Sequence, residues 1–292
     1  MISLHTLSII IPFQYDTDDR TENLNTVLRY FHTWFKDTDI MVLETGPSQH
    51  FRPEEAPTVA HYQFFPSEEP MHRTQLLNIG ASLSDRQIVV SYDTDVLVSP
   101  EALKTAISMF HDDPDLAMVF PYNGVFLDID GETKALLAAT FNFSAVPIPA
   151  HPKVGVVAGD VKCVHTRALG GLVMFRRTIF QAFGGYNRRF ISWGWEDNEI
   201  MTRFAKLGYL AKRVTDYPCL HLHHRRGPDS HSGHAFFKQN YAEFKKVKQM
   251  TRTRLLSYIT AKLGGHDPSA LAKPVSLYEK MRLFFLAPEQ LV

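Results

Sequence analysis

Ser91–Pro100, SYDTDVLVSP, follows the apolar run Ile88-Val89-Val90 with two carboxylates, Asp93 and Asp95. Burying acids is costly unless positive charge compensates them. A pair at the end of a buried strand therefore needs cations. Residues two apart on an extended chain point to one side. That suits a hard divalent cation, which takes oxygen ligands and bridges phosphate oxygens. Taken alone, Asp93-Thr94-Asp95 reads first as a polar turn.

Two further stretches could do chemistry. Ser192–Glu199, SWGWEDNE, puts Trp193 and Trp195 around Gly194, followed by Glu196, Asp197 and Glu199. Large aromatic faces stack on sugar or base surfaces and keep an N–H for a polar partner. A carboxylate at a helix start gains from the dipole and is held ionised, as a general base should be. The plain alternative is an acidic first helical turn, but the chain has only three tryptophans and two of them lie here. Leu220–Arg226, LHLHHRR, carries His221, His223 and His224 after a strand-like run. Imidazole completes the shell of Mn²⁺ and similar ions. His221 and His223 share a face if the strand continues, and His221 and His224 if the chain turns helically. In a chain with 14 histidines, the run is as readily a polar surface loop.

The elements that would position these residues alternate. Leu7–Phe13, LSIIIPF, reads as a fully buried strand. Helical spacing follows over Thr21–Phe35, then a strand over Asp39–Leu43, a helix over Arg73–Leu83 and a strand over Ile88–Tyr92. Ser99 caps a helix over Pro100–Phe110, and Leu116–Phe120 is a further strand. This order predicts an α/β sheet with parallel strands. Asn123–Gly170 shows few periods and reads as hairpins and a mobile loop. Beyond it lie a strand at GLVMF, a helix at RTIFQAF, a helix over Glu196–Leu207, a short strand over Leu210–Val214 and helical spacing over Phe236–Ala261.

Composition bounds the class. The chain has 292 residues, 45% of them hydrophobic, enough for a substantial core. Lys+Arg and Asp+Glu are both 31, so bulk charge does not suggest a nucleic-acid binder. Two cysteines are too few for a disulfide framework and fit a reducing compartment. The start, MISLHTLSIIIPF, lacks a signal peptide's basic region, and no run approaches a spanning helix.

In combination these segments carry a resemblance. Their order is similar to that of the inverting, metal-dependent glycosyltransferases of the GT-A fold, closest to the β-1,4-galactosyltransferases and to bacterial family 2 galactosyl- and N-acetylgalactosaminyltransferases. SIIIPF resembles the first nucleotide-binding strand, HRTQLLNIGAS the donor-supporting helix led by arginine, and YDTDVLVSP the D-x-D strand. GGLVMFRRTIFQAFGGYNRRFISWGWEDNEI resembles the acceptor and catalytic segment, and HLHH falls where the last metal ligand is supplied. The likeness runs from residue 8 to about residue 226. It implies a Rossmann-like α/β domain with a mixed central sheet over residues 1–235 and a C-terminal helical extension over 236–292.

The resemblance also implies roles. Asp95 would bind Mn²⁺, or Mg²⁺ as the alternative, with His224 as first and His221 as second choice of imidazole ligand. Pro12, Phe13, Glu44, Arg73 and Asp93 would bind the UDP-sugar donor. Asp197 would be the general base. Glu196, Trp193, Trp195 and Gly171 would hold the acceptor, a glycan or glycolipid. The expected reaction is transfer of galactose or N-acetylgalactosamine with inversion, in bacterial surface polysaccharide synthesis. The expected place is the cytoplasm, with peripheral contact at the inner membrane face through LYEKMRLFFLAPEQLV. Three features depart from the galactosyltransferase pattern: no glycines separate Trp195 from the acids, Asn198 replaces the third acid, and Gln14 rather than Arg follows Pro12-Phe13. Alternatives are a retaining N-acetylgalactosaminyltransferase, which usually carries D-x-H, a sugar nucleotidyltransferase, which needs a glycine-rich basic loop, and a non-catalytic glycan or nucleotide binder.

Overall fold

The computed structural model describes residues 1–227, 231–266 and 268–275. A two-stranded ribbon of β1 (Ile2–Ser3) and β3 (Phe35–Lys36) sits at the edge. The main sheet is built first from β2 (Leu7–Phe13), β4 (Asp39–Gly46), β5 (Val59–Pro66) and β6 (Ile88–Tyr92), all parallel. Every residue of β2, β4 and β6 is buried, which explains their continuous apolar runs. Helix α1 (Asp18–Trp34) lies between β2 and β4 and α2 (Arg73–Leu83) between β5 and β6, while α3 (Pro100–Asp112) follows the D-x-D segment. Helix α1 begins three residues before the apolar spacing does, because Asp18 and Asp19 favour the positive end of the dipole without joining the apolar stripe. Ser99 caps α3 by accepting from the Ala102 amide, as expected.

In the rest of the main sheet only β12 reverses direction. Strand β8 (Met118–Phe120) is shorter than the run Leu116–Phe120 suggested. Strand β12 (Leu172–Arg176) lies antiparallel between β6 and β8, and β13 (Lys212–Arg213) closes the edge. The resulting order is β13-β8-β12-β6-β2-β4-β5, a mixed sheet as expected.

A second sheet frames the site. It orders β10 (Val157–Ala158), β11 (Val161–His165), β9 (Phe126–Ile129), β14 (Cys219–Leu222) and β7 (Val96–Leu97). Strand β7 belongs to the D-x-D segment and β14 to the histidine run, and the two pair with His221 opposite Val96. Between β9 and β10 lies a helix, α4 (Gly131–Thr140), where only hairpins and loop were expected. Leu137 is its one buried residue, so it carries almost no apolar period to read.

Helix α5 (Arg177–Ala182) leads to α6 (Glu196–Lys206). The spacing over 236–261 resolves into α7 (Phe237–Gln249) and α8 (Arg252–Tyr258). Helix α7 packs along α6. The segment LYEKMRLFFLAPEQLV falls outside the described residues. Among those described, no helix is long and apolar enough to cross a membrane.

Candidate active site

A cavity of about 930 Å³ opens over the carboxyl ends of β2 and β6. Ligand sites in open α/β sheets lie at this edge. Pro12, Arg73, Asp93, Asp95, Gly171, Trp193, Trp195, Glu196, Asp197, His221 and His224 all line it. Of the residues to which the resemblance gave roles, Phe13 and Glu44 do not. Phe13 alternates away from Pro12 and packs in the core. Glu44 is 0% exposed. Its carboxylate accepts from the His50 amide at 2.8 Å, the Phe51 amide at 3.2 Å and Tyr62 Oη at 2.6 Å. These contacts make it a pin for the loop after β4 rather than an open donor-binding acid.

The opening carboxylates also differ from expectation. The chain turns at Thr94-Asp95, so the two acids take separate partners rather than one shared side. Asp93 accepts from Arg73 Nη2 at 2.8 Å and Nε at 3.0 Å. Asp95 lies 3.1 Å from His224 Nε2, 3.8 Å from His221 Nε2 and 3.6 Å from Arg20 Nη1. Burial works against its ionisation, but His221, His224 and Arg20 outweigh it and hold the carboxyl well below the usual range. Asp95, His221 and His224 each offer one ligand atom, all within 4.8 Å of one another. One carboxylate oxygen and two imidazole nitrogens are a donor set that suits Mn²⁺. The residues therefore fit a divalent cation.

Both pairings of the histidine run occur: His221 and His224 meet at Asp95, and His221 and His223 both reach Asp128. His223 stays outside the ligand cluster. Arg20 and Asp128 carry no family signature: Arg20 sits inside an acidic stretch, and Asp128 in the segment with no readable period.

The second half of the cavity is organised around Arg73. Its Nη1 lies 3.7 Å from Glu196 Oε1 and 4.0 Å from Asp197 Oδ1, and makes no hydrogen bond. Tyr186 Oη donates to Asp197 at 3.4 Å. The helix-start position was expected to keep Asp197 ionised, but burial and the neighbouring Glu196 overcome the dipole and Arg73. Its carboxyl is pushed up to about 8. Burial raises Glu196 in the same direction. Gly170 makes the room: a Cβ there would stand 2.7 Å from Asp197 Oδ2. Gly171, at φ +82°, turns the chain so that its carbonyl accepts the Asp93 amide at 2.8 Å.

The tryptophan turn is strained and externally held. Ser192, Gly194 and Trp195 have φ of 60°, 107° and 75°. A non-glycine residue in this region costs about 1–3 kcal/mol and persists only when its surroundings impose it. Asn240 of α7 imposes it here, donating to Ile191 O at 2.9 Å and accepting from the Ile191 amide at 3.3 Å. His234 Nε2 sits 2.7 Å from Trp193 O. Trp195 stacks on Phe244 at 5.3 Å and meets Tyr241 at 4.7 Å. Trp193, 44% exposed, stacks on Phe237 at 5.8 Å. The indole faces thus lean on α7, while Trp195 Nε1 and Glu196 Oε2 are buried without a hydrogen-bond partner. Orphaned buried polar atoms on a cavity wall are unusual and call for a ligand.

Residues 150–225 match a family described as the N-terminal domain of galactosyltransferase. No curated protein matches the chain. Among solved structures, GalNAc-T7 with UDP, GalNAc and Mn²⁺ aligns over 95% of this chain and 53% of its own, at 16% identity and TM-score 0.52. Glucosyl-3-phosphoglycerate synthase from Mycobacterium tuberculosis, with Mn²⁺, UDP-glucose and phosphoglyceric acid, aligns over 83% of this chain and 79% of its own, at 16% and 0.51. Drosophila β-1,4-galactosyltransferase 7, with manganese, UDP-Gal and xylobiose, aligns over 82% and 79%, at 16% and 0.48. The likeness to these solved structures places the fold in the GT-A class.

Proposed function

We propose that the chain transfers galactose or N-acetylgalactosamine from a UDP-sugar to a glycan acceptor with inversion at the anomeric carbon. The observation that carries the reading is the pairing of two sites in one cavity. One is a cation-ready cluster, Asp95, His221 and His224, and the other a buried carboxyl, Asp197, tuned upward beside unpartnered polar atoms. The matched galactosyltransferase segment runs through both β12 and the tryptophan turn. The UDP and Mn²⁺ bound to the two aligned enzymes favour the same donor and ion here.

A bound divalent cation would neutralise the leaving diphosphate. Asp95, His221 and His224 would hold it. Arg20 lines the cavity beside Asp95 and adds positive charge for the phosphates. Arg73 fixes Asp93, which would meet the donor ribose, and keeps the acid pair from repelling its ligands. Asp197 in its ionised form takes the proton of an acceptor hydroxyl. The oxygen then attacks the anomeric carbon on the face opposite UDP, and the bond from that carbon to the phosphate oxygen breaks with its electrons leaving on UDP. Glu196 Oε2 would accept from the acceptor sugar, Trp195 Nε1 would donate to it, and the exposed face of Trp193 would cover it.

The proposed setting is a bacterial surface polysaccharide or glycolipid built in the cytoplasm at the inner membrane face, and it rests on the sequence resemblance alone. The proposed division at residue 235 would leave α7 in the extension, from which it supports the tryptophan turn.

The test is UDP release from a panel of UDP-sugars with Mn²⁺ and with EDTA, followed by NMR of the product's anomeric configuration. Metal-dependent use of UDP-Gal or UDP-GalNAc with inversion supports the reading. Retention, or turnover undiminished by EDTA, contradicts it.

A further inference from the structure

Asp128 lies on β9, outside every segment that carries the family resemblance, and takes no part in the proposed proton transfer. It grips two imidazoles. Its Oδ1 stands 2.6 Å from His221 Nδ1 and its Oδ2 2.8 Å from His223 Nδ1. The sheet builds this grip, because β14 runs parallel to β9 with His221 in register with Asp128. The Phe126 ring, two residues earlier on β9, packs on His221 at 5.6 Å.

Tied at Nδ1, the His221 ring has only Nε2 to offer, and that atom is 3.8 Å from Asp95 Oδ1. His224 repeats the arrangement with a backbone partner: Nδ1 is 2.8 Å from Arg225 O and Nε2 is 3.1 Å from Asp95 Oδ2. Imidazoles that bind a metal through one nitrogen almost always donate the other N–H to a carboxylate or carbonyl. That bond fixes the tautomer and ring orientation and raises the basicity of the ligating nitrogen. Both halves of the pattern are present here.

We propose that Asp128 is a positioning residue that holds His221 as its Nδ1–H tautomer, so that Nε2 faces a divalent cation shared with Asp95 and His224. The proposal rests on the metal-dependent reading above. Asp128 is not itself in the ligand cluster. His223, 45% exposed, occupies the second carboxylate oxygen and sets the rotation of the carboxylate that His221 reads.

The test uses the whole chain with Asp128→Ala, Asp128→Asn and His223→Gln. Mn²⁺ binding is followed by EPR, and unfolding is measured in EDTA. Outer-sphere partners of metal ligands are worth about 10–100-fold in metal affinity, so Asp128→Ala should weaken Mn²⁺ binding by that factor. Asp128→Asn keeps an acceptor oxygen and should recover part of the loss, and His223→Gln should weaken binding least. Ring ¹⁵N shifts of His221 in the metal-free protein, at a pH where the ring is neutral, should show Nδ1–H in the wild type and lose that preference in Asp128→Ala. Asp128→Ala that binds Mn²⁺ as the wild type does overturns the proposal, even if it unfolds earlier, because Asp128 is then only a pin between strands. Wild-type His221 protonated on Nε2 overturns it too. A wild type that binds no Mn²⁺ overturns both this proposal and the metal reading beneath it.

Discussion

The two halves of the cavity treat charge in opposite ways. Around Asp95, two imidazoles and Arg20 hold a buried carboxyl far below its usual range. Around Asp197, burial and a second acid push a carboxyl up to about 8 although Arg73 lies close by. The first group gathers where β7 and β14 pair, with Asp95 just before β7, His221 on β14 and both rings tied by hydrogen bonds. The second stands at the start of α6, just after a turn with left-handed residues that α7 holds from outside. One half favours the charged carboxylate and the other the protonated carboxyl. The difference shows that burial alone does not decide a carboxylate's state. The count and placement of cations around it do.

The contrast can be broken most severely at Asp197. Positioned general bases contribute roughly 10²–10⁴-fold, so Asp197→Asn should lower kcat by that range. UDP and Mn²⁺ binding, measured by calorimetry, should hold. Asp95→Asn should do the reverse and remove Mn²⁺ binding first, with turnover lost as a consequence. Equal loss of metal binding in both variants would erase the distinction between the halves.

The pH profile sharpens it. Asp197 must be ionised to accept a proton, and its carboxyl is raised to about 8. Below that pH it is protonated and idle, and above it is competent. The kcat/KM, which reports the free enzyme, should therefore rise with pH through about 8. A flat profile from 6 to 9 would argue that another group takes the proton. The same raised value means that the folded chain binds this proton more tightly than the unfolded chain does. Its contribution to stability is thus greatest at low pH and falls as pH climbs from the ordinary aspartate range toward 8.

A smaller effect is expected at the support. Asn240→Ala removes two hydrogen bonds to the part-buried backbone of Ile191, a cost of about 1 kcal/mol. It should raise the KM for acceptor while leaving that for donor nearly unchanged, as steady-state kinetics would show. Glu44→Gln should be mildest for function. It weakens the loop anchor and lowers the unfolding midpoint, while UDP affinity stays at the wild-type level.

Much of the fold was legible because its central strands are buried on both faces. Leu7–Phe13, Arg73–Leu83 and Ile88–Tyr92 fall where the apolar pattern puts them. Helix α4 was hidden because a nearly fully exposed helix has no apolar stripe to betray it. In the site, Asp95, His221 and His224 could be read from spacing and resemblance, and the structure brings all three together. The divergence of Asp93 from Asp95 could not, because a turn breaks the alternation that an extended chain would keep. Asp128 was equally hidden. Its partner His221 lies far along the chain, and only the pairing of β9 with β14 joins them. Glu44 misled because an acid after a strand looks the same whether it faces a ligand or pins a loop.

The most direct test of the account follows UDP formation from UDP-Gal and UDP-GalNAc with Mn²⁺, in wild type, Asp197→Asn and Asp95→Asn, alongside Mn²⁺ and UDP binding on the same samples. The account predicts turnover by the wild type alone, with Asp197→Asn still binding both Mn²⁺ and UDP and Asp95→Asn having lost Mn²⁺. Wild-type turnover in Asp197→Asn, or undiminished Mn²⁺ binding in Asp95→Asn, would contradict it.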